Sequence, residues 1–332
     1  MTVKQPHVAV TGAAGYIGSR VVRDISEAHP DWTVTALDNF YRGQVEEIGD
    51  VPVDHVDIRD RDRLEDTLAG ADIVMHLAAI SGVKDCDENP DLAYEVNVQG
   101  TTNVAWFCKK TGAGLIFPFS MAVVGDPEAF PITIENPRDP MNLYGRTKLL
   151  NERTIDTLAE GAFPAHLFLK SNLYGAHEIG ETRVSKPTVI NIFVGRALRD
   201  QDLTVHEPGT QARNYVHVKD VARAYVRSAE RLLTELDAGE TGVSKFELAG
   251  DEDLSVIDVA ELVQSQAAEV LDSRPDLVML ENPRDETLVE RFDVETSRTE
   301  EELGWERRHS IKRAIRADLK RLAAGKEKPP SP

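Results

Sequence analysis

The chain has 332 residues, 41% of them apolar, and a formal net charge of -19 from 38 Lys and Arg against 57 Asp and Glu. Such an acid excess excludes a surface that tracks nucleic-acid phosphates, and no apolar run approaches the ~18 residues that cross a bilayer. Two cysteines, Cys86 and Cys108, make no disulfide framework or metal spacing, and the start has no signal-peptide core, so a cytoplasmic protein with reduced thiols and no metal is expected.

In chain order, the apolar stretch Val8-Ala9-Val10 runs into Thr11-Gly12-Ala13-Ala14-Gly15-Tyr16-Ile17-Gly18. This reads as a strand turning into a helix around a dinucleotide. Glycines three apart permit a tight turn, close approach to a pyrophosphate and close helix-strand packing, while free helix N-terminal amides face the phosphates. The next strand, Val34-Thr35-Ala36-Leu37-Asp38, ends in an acid about 20 residues after the last glycine, where a carboxylate accepts hydrogen bonds from an adenosine ribose. That favours NAD. A 2'-phosphate would meet the Asp38 charge, with Arg42 nearby as the residue that leaves NADP open. After a third strand, Val56-Asp57-Ile58-Arg59-Asp60 offers a second acid where an adenine amino group could be read.

Strand-like runs at Val8 to Thr11, Thr33 to Leu37, Val53 to Val56, Ile73 to Leu77, Leu115 to Phe119 and Ala165 to Leu169 alternate with helical patterns. The alternation implies an α/β fold, a doubly wound parallel sheet with crossover helices. Asn89 to Lys110 and Leu143 to Leu158 carry apolar residues at three and four residue spacing, as long helices do. After Gly175 comes a Gly/Glu/Lys-rich loop, a helix at Pro187 to Leu198 and a short strand at Leu203 to Val205, which together read as a cap. Tyr215 to Val218 then reads as a return to the sheet, followed by a helix from Val221 to Leu233 and the apolar Phe246-Glu247-Leu248. A further strand is read at Leu277 to Leu280. The expected division is a dinucleotide-binding domain over 1–175, with 214–250 returning to it, and a smaller C-terminal α/β substrate-binding cap from 176–213 and 251–325. The Lys/Pro-rich 326–332 reads as a disordered tail.

Tyr144-Gly145-Arg146-Thr147-Lys148 places a phenol and an ammonium four apart near the start of a helix, so both share one face. A phenol with an ordinary pKa of about 10 is a poor base at neutral pH. A cation about 4 Å away contributes roughly 4 kcal/mol toward the phenolate at an effective dielectric of ~20, or about three pKa units. Lys148 plus an oxidised nicotinamide ring is therefore expected to bring Tyr144 near the operating pH, where general acid-base catalysis works best. Ser120 ends the run Leu115-Ile116-Phe117-Pro118-Phe119, at the edge where doubly wound sheets bind ligands. Its hydroxyl can hydrogen-bond the oxygen that Tyr144 deprotonates. Singly, such a Ser, Tyr or Lys is an ordinary turn or surface residue; the three in this order and position point to chemistry.

The chain resembles the extended short-chain dehydrogenases/reductases of the NAD-dependent sugar epimerase/dehydratase family over nearly its whole length. The resemblance rests on Thr11 to Gly18, Asp38, His76-Leu77-Ala78-Ala79, Asn97-Val98-Gln99-Gly100-Thr101, Ser120 with Val123-Val124-Gly125, Tyr144 to Lys148, Asn172-Leu173-Tyr174-Gly175 and Gln211 to Val218. It implies a Rossmann domain with NAD held by Gly12, Gly15, Tyr16, Ile17, Gly18, Asp38, Asn39, Asp57, Ile58, Leu77, Ala78, Ala79, Asn97, Tyr144 and Lys148. It also implies catalysis by Ser120, Tyr144 and Lys148, and a nucleotide-sugar substrate held by Lys84, Ser120, Asn172, Arg213 and Arg284. Departures fall in the sugar pocket, at Phe119, Val124 and Asn142-Leu143, where the family commonly has Ser or Thr, Tyr, and Ser-Pro.

The resemblance also bears on the reaction. Sugar 4,6-dehydratases of the family carry Asp-Glu where Met121-Ala122 stand here, and decarboxylases of a nucleotide uronate carry Glu in place of Ala122. What remains is the minimal set that suits 4-epimerisation of a UDP-hexose through a transient 4-keto sugar, with a net NAD-dependent oxidoreductase as the alternative. A nucleotide-sensing binding protein on this fold would have no need of the Ser, Tyr and Lys. The helices at Asn89 to Lys110 and Leu143 to Leu158 are expected to pair across a twofold axis into the four-helix bundle of a homodimer, as is common in the family.

Overall fold

The computed structural model describes residues 5–282, 289 and 291–325. The first half alternates strand and helix. β1 (His7–Thr11) leads to α1 (Gly18–Ala28), β2 (Thr33–Asp38), a two-residue β3 (Glu47–Ile48), β4 (Val51–His55), α2 (Arg61–Thr67), β5 (Ile73–His76), α3 (Val83–Glu88) and α4 (Pro90–Tyr94). A π-helical turn over Glu95–Gly100 joins α4 to α5 (Thr101–Thr111), and β6 (Gly114–Ser120), α6 (Leu143–Ala159) and β7 (Pro164–Lys170) follow. The second half holds β8 (Asn172–Tyr174), β9 (His177–Ile179), β10 (Thr182–Val184), α7 (Val189–Leu198), β11 (Leu203–His206), β12 (Ala212–His217), α8 (Val218–Ala238) and β13 (Gly242–Leu248). It ends with β14 (Asp253–Ser255), α9 (Val256–Leu271), β15 (Leu277–Leu280), α10 (Ser297–Leu303) and α11 (Ile311–Ala323).

Eight strands form the main sheet in the order β13-β7-β6-β5-β1-β2-β4-β3. Its central strands are nearly continuous apolar runs, as parallel strands covered on both faces must be: Val8, Val10, Ile73, Met75, Leu115 and Phe117 are all essentially inaccessible. One face packs against α5 and α6 through residues such as Val104, Phe107 and Ile155. The other packs against α1 and α8 through Val21, Ile25, Val221 and Tyr225. Reversal of strand order between β1 and β5 puts a ligand crevice at the C-terminal edge. A third core, built from Phe193 of α7, Val259 and Val263 of α9, and Ile315 and Leu319 of α11, stands apart from the sheet.

The main sheet is the doubly wound parallel sheet expected, with the two-residue β3 added antiparallel to β4 at one edge. Two expectations need correction. The long helix at Asn89 to Lys110 is three segments with a π-helical middle, a rare insertion that turns side chains relative to the regular repeat. Tyr215 to Val218 does not enter the main sheet: β12 lies between β8 and β14 in a separate three-stranded sheet. Strand β13, beside β7, makes the return. Residues 326–332, read as a disordered tail, lie outside the described residues.

Candidate active site

The glycine turn after β1 is built for close contact. Gly12 has φ +71°, and a Cβ there would stand 2.6 Å from the Ala78 nitrogen. At Gly18 a Cβ would stand 2.1 Å from the Gly12 carbonyl oxygen. Both are backbone neighbours with no room to yield. Helix α1 then starts without a side-chain cap and without an acidic residue in its first turn, so the positive end of its dipole faces the turn uncompensated. Tyr16 is committed elsewhere, since its hydroxyl donates to the Gly175 carbonyl at 2.6 Å and its ring stacks on His177.

Asp38 closes β2 beside this turn. Its carboxylate accepts from the Phe40 amide at 2.8 Å and the Ala14 amide at 3.1 Å. Burial raises its pKa above the ordinary carboxylate value, opposed by those amides. An uncapped helix N-terminus with an acid at the end of the next strand suits the diphosphate and ribose of NAD. Asp57 is placed differently. Arg59 grips both its oxygens at 3.0 and 2.7 Å, Asn39 donates to it at 3.2 Å, and the Arg59 hydrogen bonds outweigh burial to bring its carboxyl down to about 2. An adenine amino group reading Asp57 has to compete with that guanidinium. Ile58 beside it is buried.

At the end of β5, His76 bridges Thr11 at 2.7 Å and Thr101 at 2.9 Å. Burial and the nearby Lys148 charge push its pKa down to about 3, so it is a neutral structural link. Leu77, Ala78 and Ala79 follow, all partly exposed. The π-helical turn carries Asn97 inward, where its amide accepts from Ile80 N at 2.9 Å and donates to Ile80 O at 3.0 Å and Thr147 Oγ1 at 3.2 Å. One buried side chain thereby fastens the chain leaving β5 to α6.

Ser120 is the last residue of β6, and its Oγ accepts from the Ala122 amide at 3.3 Å. Helix α6 starts with Asn142 as its cap, accepting from Gly145 N at 2.9 Å, and brings Tyr144 in its first turn to Ser120. Burial pushes the Tyr144 phenol up to about 12, and a hydrogen bond from the Ser120 hydroxyl opposes the rise. Lys148 lies one turn on, 4% exposed, donating to the Pro118 carbonyl at 3.3 Å, its Nζ 5.9 Å from the Tyr144 ring centre. Burial pushes this ammonium down to about 8. Desolvation dominates both groups in the chain alone, and the ammonium donates to a backbone carbonyl.

The predicted substrate ligands are scattered more widely. Asn172 of β8 donates to the Asn214 carbonyl at 3.2 Å, and Arg213 of β12 donates to the Ala212 carbonyl at 2.9 Å. They lie on adjacent strands, since Tyr215 of β12 is in register with Asn172. Lys84 is 77% exposed on α3 and faces Glu88 at 3.7 Å. Arg284 lies outside the described residues. Two lysines outside the set expected from sequence stand at the same sheet edge. Lys170 ends β7 in register with Ser120, and Lys186 reaches the Ser81 hydroxyl at 2.8 Å. The signal for Lys170 is an ammonium directly after the apolar run Leu167-Phe168-Leu169; Lys186 sits unmarked in a loop.

Residues 8–240 match the family described as NAD dependent epimerase/dehydratase. The chain belongs to that family. A UDP-glucose 4-epimerase of Rhizobium leguminosarum bv. trifolii is 33% identical over 263 residues, covering 73% of this chain and 80% of that one. A UDP-glucose 4-epimerase of Halalkalibacterium halodurans is 33% identical over 270 residues, covering 77% and 78%. Among solved structures, the Thermus thermophilus UDP-glucose 4-epimerase in complex with NAD superposes with a TM-score of 0.77 at 26% identity, over 96% of this chain and 99% of that one. The Thermotoga maritima UDP-glucose 4-epimerase with UDP-glucose reaches a TM-score of 0.83 at 23% identity, over 97% and 100%, and speaks to the fold. Family membership accounts for the arrangement just described, with the glycine turn, Ser120 and the Tyr144 helix all at one sheet edge.

Proposed function

We propose that the chain is an NAD-dependent nucleotide-sugar 4-epimerase acting on a UDP-hexose through a transient 4-keto sugar. The observation that carries this reading is the placement of Ser120 at the end of β6 with Tyr144 and Lys148 on the first turns of α6, where Met121 and Ala122 supply none of the extra acid-base groups that water or CO₂ removal requires. Bound NAD supplies the hydride acceptor and donor. Tyr144 takes the proton from the 4-hydroxyl and returns it after reduction, and Ser120 orients the same oxygen. Lys148, buried one turn along α6, supplies positive charge behind the phenol. Asn172 and Arg213 hold the diphosphate, a guanidinium being suited to phosphate geometry, while the keto sugar turns its other face. The 33% identity to curated UDP-glucose 4-epimerases over about three quarters of the chain supports the substrate class. Incubation with UDP-glucose is expected to give the C4 epimer in proton NMR spectra without net NADH. Stoichiometric NADH with no epimer would replace this reading with a net oxidoreductase.

The same reading includes a homodimer. Helices α5 and α6 pack side by side, and Tyr94 of α4, Trp106 of α5 and Leu150 of α6 are 53%, 38% and 44% exposed, which is apolar surface a partner copy would cover. Light scattering at micromolar concentration is expected to give twice the 36.7 kDa chain mass, and a monomer would refute the pairing. No helix among the described residues is long and apolar enough to cross a membrane. With both thiols buried and unbridged, a cytoplasmic location belongs to this reading.

A further inference from the structure

Three lysines converge at the C-terminal edge of the sheet, and the epimerase mechanism uses only one of them. Lys148 comes from α6. Lys170 comes from the last position of β7, in register with Ser120 on the adjacent parallel strand, one strand spacing of about 4.8 Å away. Lys186 comes from the segment between β10 and α7 and crosses to the loop after β5, where its Nζ donates to Ser81 Oγ at 2.8 Å and Ser81 O at 3.4 Å. Lys170 and Lys186 are both partly buried.

None of the three pairs with a carboxylate among the described residues, although the chain carries 57 acids against 38 bases. Asp85, the acid whose field reaches Lys186, is already taken by Arg42 at 2.8 Å. Burial, followed by the charges of Lys186 and Lys148, pushes Lys170 down to about 7, and burial lowers Lys186 as well. Desolvated like charges are expensive unless an anion joins them. A purely structural cluster would have been given its counter-ion from this acid-rich chain.

Position separates the two anions that a nucleotide sugar can offer. The diphosphate is assigned to Asn172 and Arg213 on the small β8-β12 sheet. Lys170 instead flanks Ser120, the residue that orients the reacting oxygen, and so stands beside the sugar ring. We infer that the sugar bound here carries a carboxylate, a hexuronate in place of a neutral hexose, held between the ammoniums of Lys170 and Lys186. This inference rests on the nucleotide-sugar reading above and narrows its substrate class.

The test compares UDP-glucuronate with UDP-glucose on the NAD-loaded full chain, following C4 epimer formation by proton NMR and binding by calorimetry. The wild type is expected to favour UDP-glucuronate in kcat/KM by about tenfold or more, as for a desolvated ion pair. Lys170→Gln and Lys186→Gln are each expected to lower that ratio about tenfold through the KM of the uronate. Lys170→Arg, which keeps the charge, is expected to hold the ratio within about threefold. The ratio is insensitive to any loss of folded protein. Equal preference in the wild type overturns the inference, as does a parallel loss for both substrates in the Gln variants, which would assign these lysines to the diphosphate or the cofactor. If neither sugar is epimerised, the epimerase reading fails; tighter binding of UDP-glucuronate that Lys170→Gln abolishes would still support the carboxylate site, and equal binding would end it.

Discussion

Tyr144→Phe is expected to lower kcat by about 10³, inside the 10²–10⁴ range that a positioned general acid-base contributes. The KM for the nucleotide sugar and the bound NAD content are expected to stay within about threefold, because the phenyl ring keeps its packing and only an interaction made in the transition state is lost. The effect is large because no neighbour can substitute. Ser120 is an ordinary hydroxyl already accepting from Ala122 N, Cys86 is buried with its thiol pushed up to about 11, and His76 is locked between Thr11 and Thr101. Burial pushes the phenol up to about 12 in the chain alone, so Tyr144 has to give its proton to solvent and stand as phenolate before it can take one from the 4-hydroxyl, a form that positive charge around it favours. Lys148 gives part of that charge, reduced by its own burial. Initial rates by NMR together with the NAD absorbance of purified variants are the required measurements. A variant keeping more than about a tenth of wild-type kcat would remove Tyr144 from the proton-transfer role.

The parts of this molecule that were legible in the sequence are those that a single local pattern dictates. Val8 to Thr11 and Leu115 to Phe119 are apolar runs too continuous for one-sided burial, and they became central strands. The glycines before α1 could be read because a backbone approach within 3 Å of Ala78 or Gly12 leaves no room for any other residue. Ser120, Tyr144 and Lys148 could be read because their order along the chain matches a known arrangement, and the fold brings them to one edge. What escaped depended on partners distant in sequence. Tyr215 to Val218 is as apolar as a main-sheet strand, yet β12 pairs with β8 and β14, and nothing in its own residues specifies those neighbours. The protonation of Tyr144 followed from burial, which a spacing of four residues does not report. Lys170 and Lys186 are 16 residues apart and reach the same edge of the sheet only because β7 ends beside Ser120 and the β10-α7 segment folds back to Ser81.

Glu152→Ala is expected to cost about 3–5 kcal/mol of unfolding free energy, the loss typical of removing one member of a buried ion pair. Glu152 is 2% exposed and holds two cations: Arg138 through both oxygens at 3.0 and 3.1 Å, and Lys245 of β13 at 2.9 Å. Without the carboxylate, Arg138 stays desolvated with only backbone carbonyls to face, while Lys245 keeps Asp156 at 3.0 Å. Arg138 also donates to the carbonyls of Ile134 and Asn136, so the loop entering α6 loosens with it. Burial by itself raises the Glu152 carboxyl, but the Arg138 and Lys245 hydrogen bonds outweigh it and the net shift is downward. A depressed folded pKa stabilises above the unfolded value, and that contribution is lost as pH falls through the folded one. Urea unfolding is therefore expected to show the wild type losing its advantage over Glu152→Ala as the pH falls below the ordinary Glu value and through the lower folded one. A difference below about 1 kcal/mol at neutral pH, or one that does not change with acid, would make the triad a surface-like pair of little worth. The consequence reaches the chemistry, since Glu152 is eight residues beyond Tyr144 on the same helix. A looser α6 start shifts Tyr144 relative to Ser120, and Glu152→Ala should lose kcat even under conditions where it remains folded.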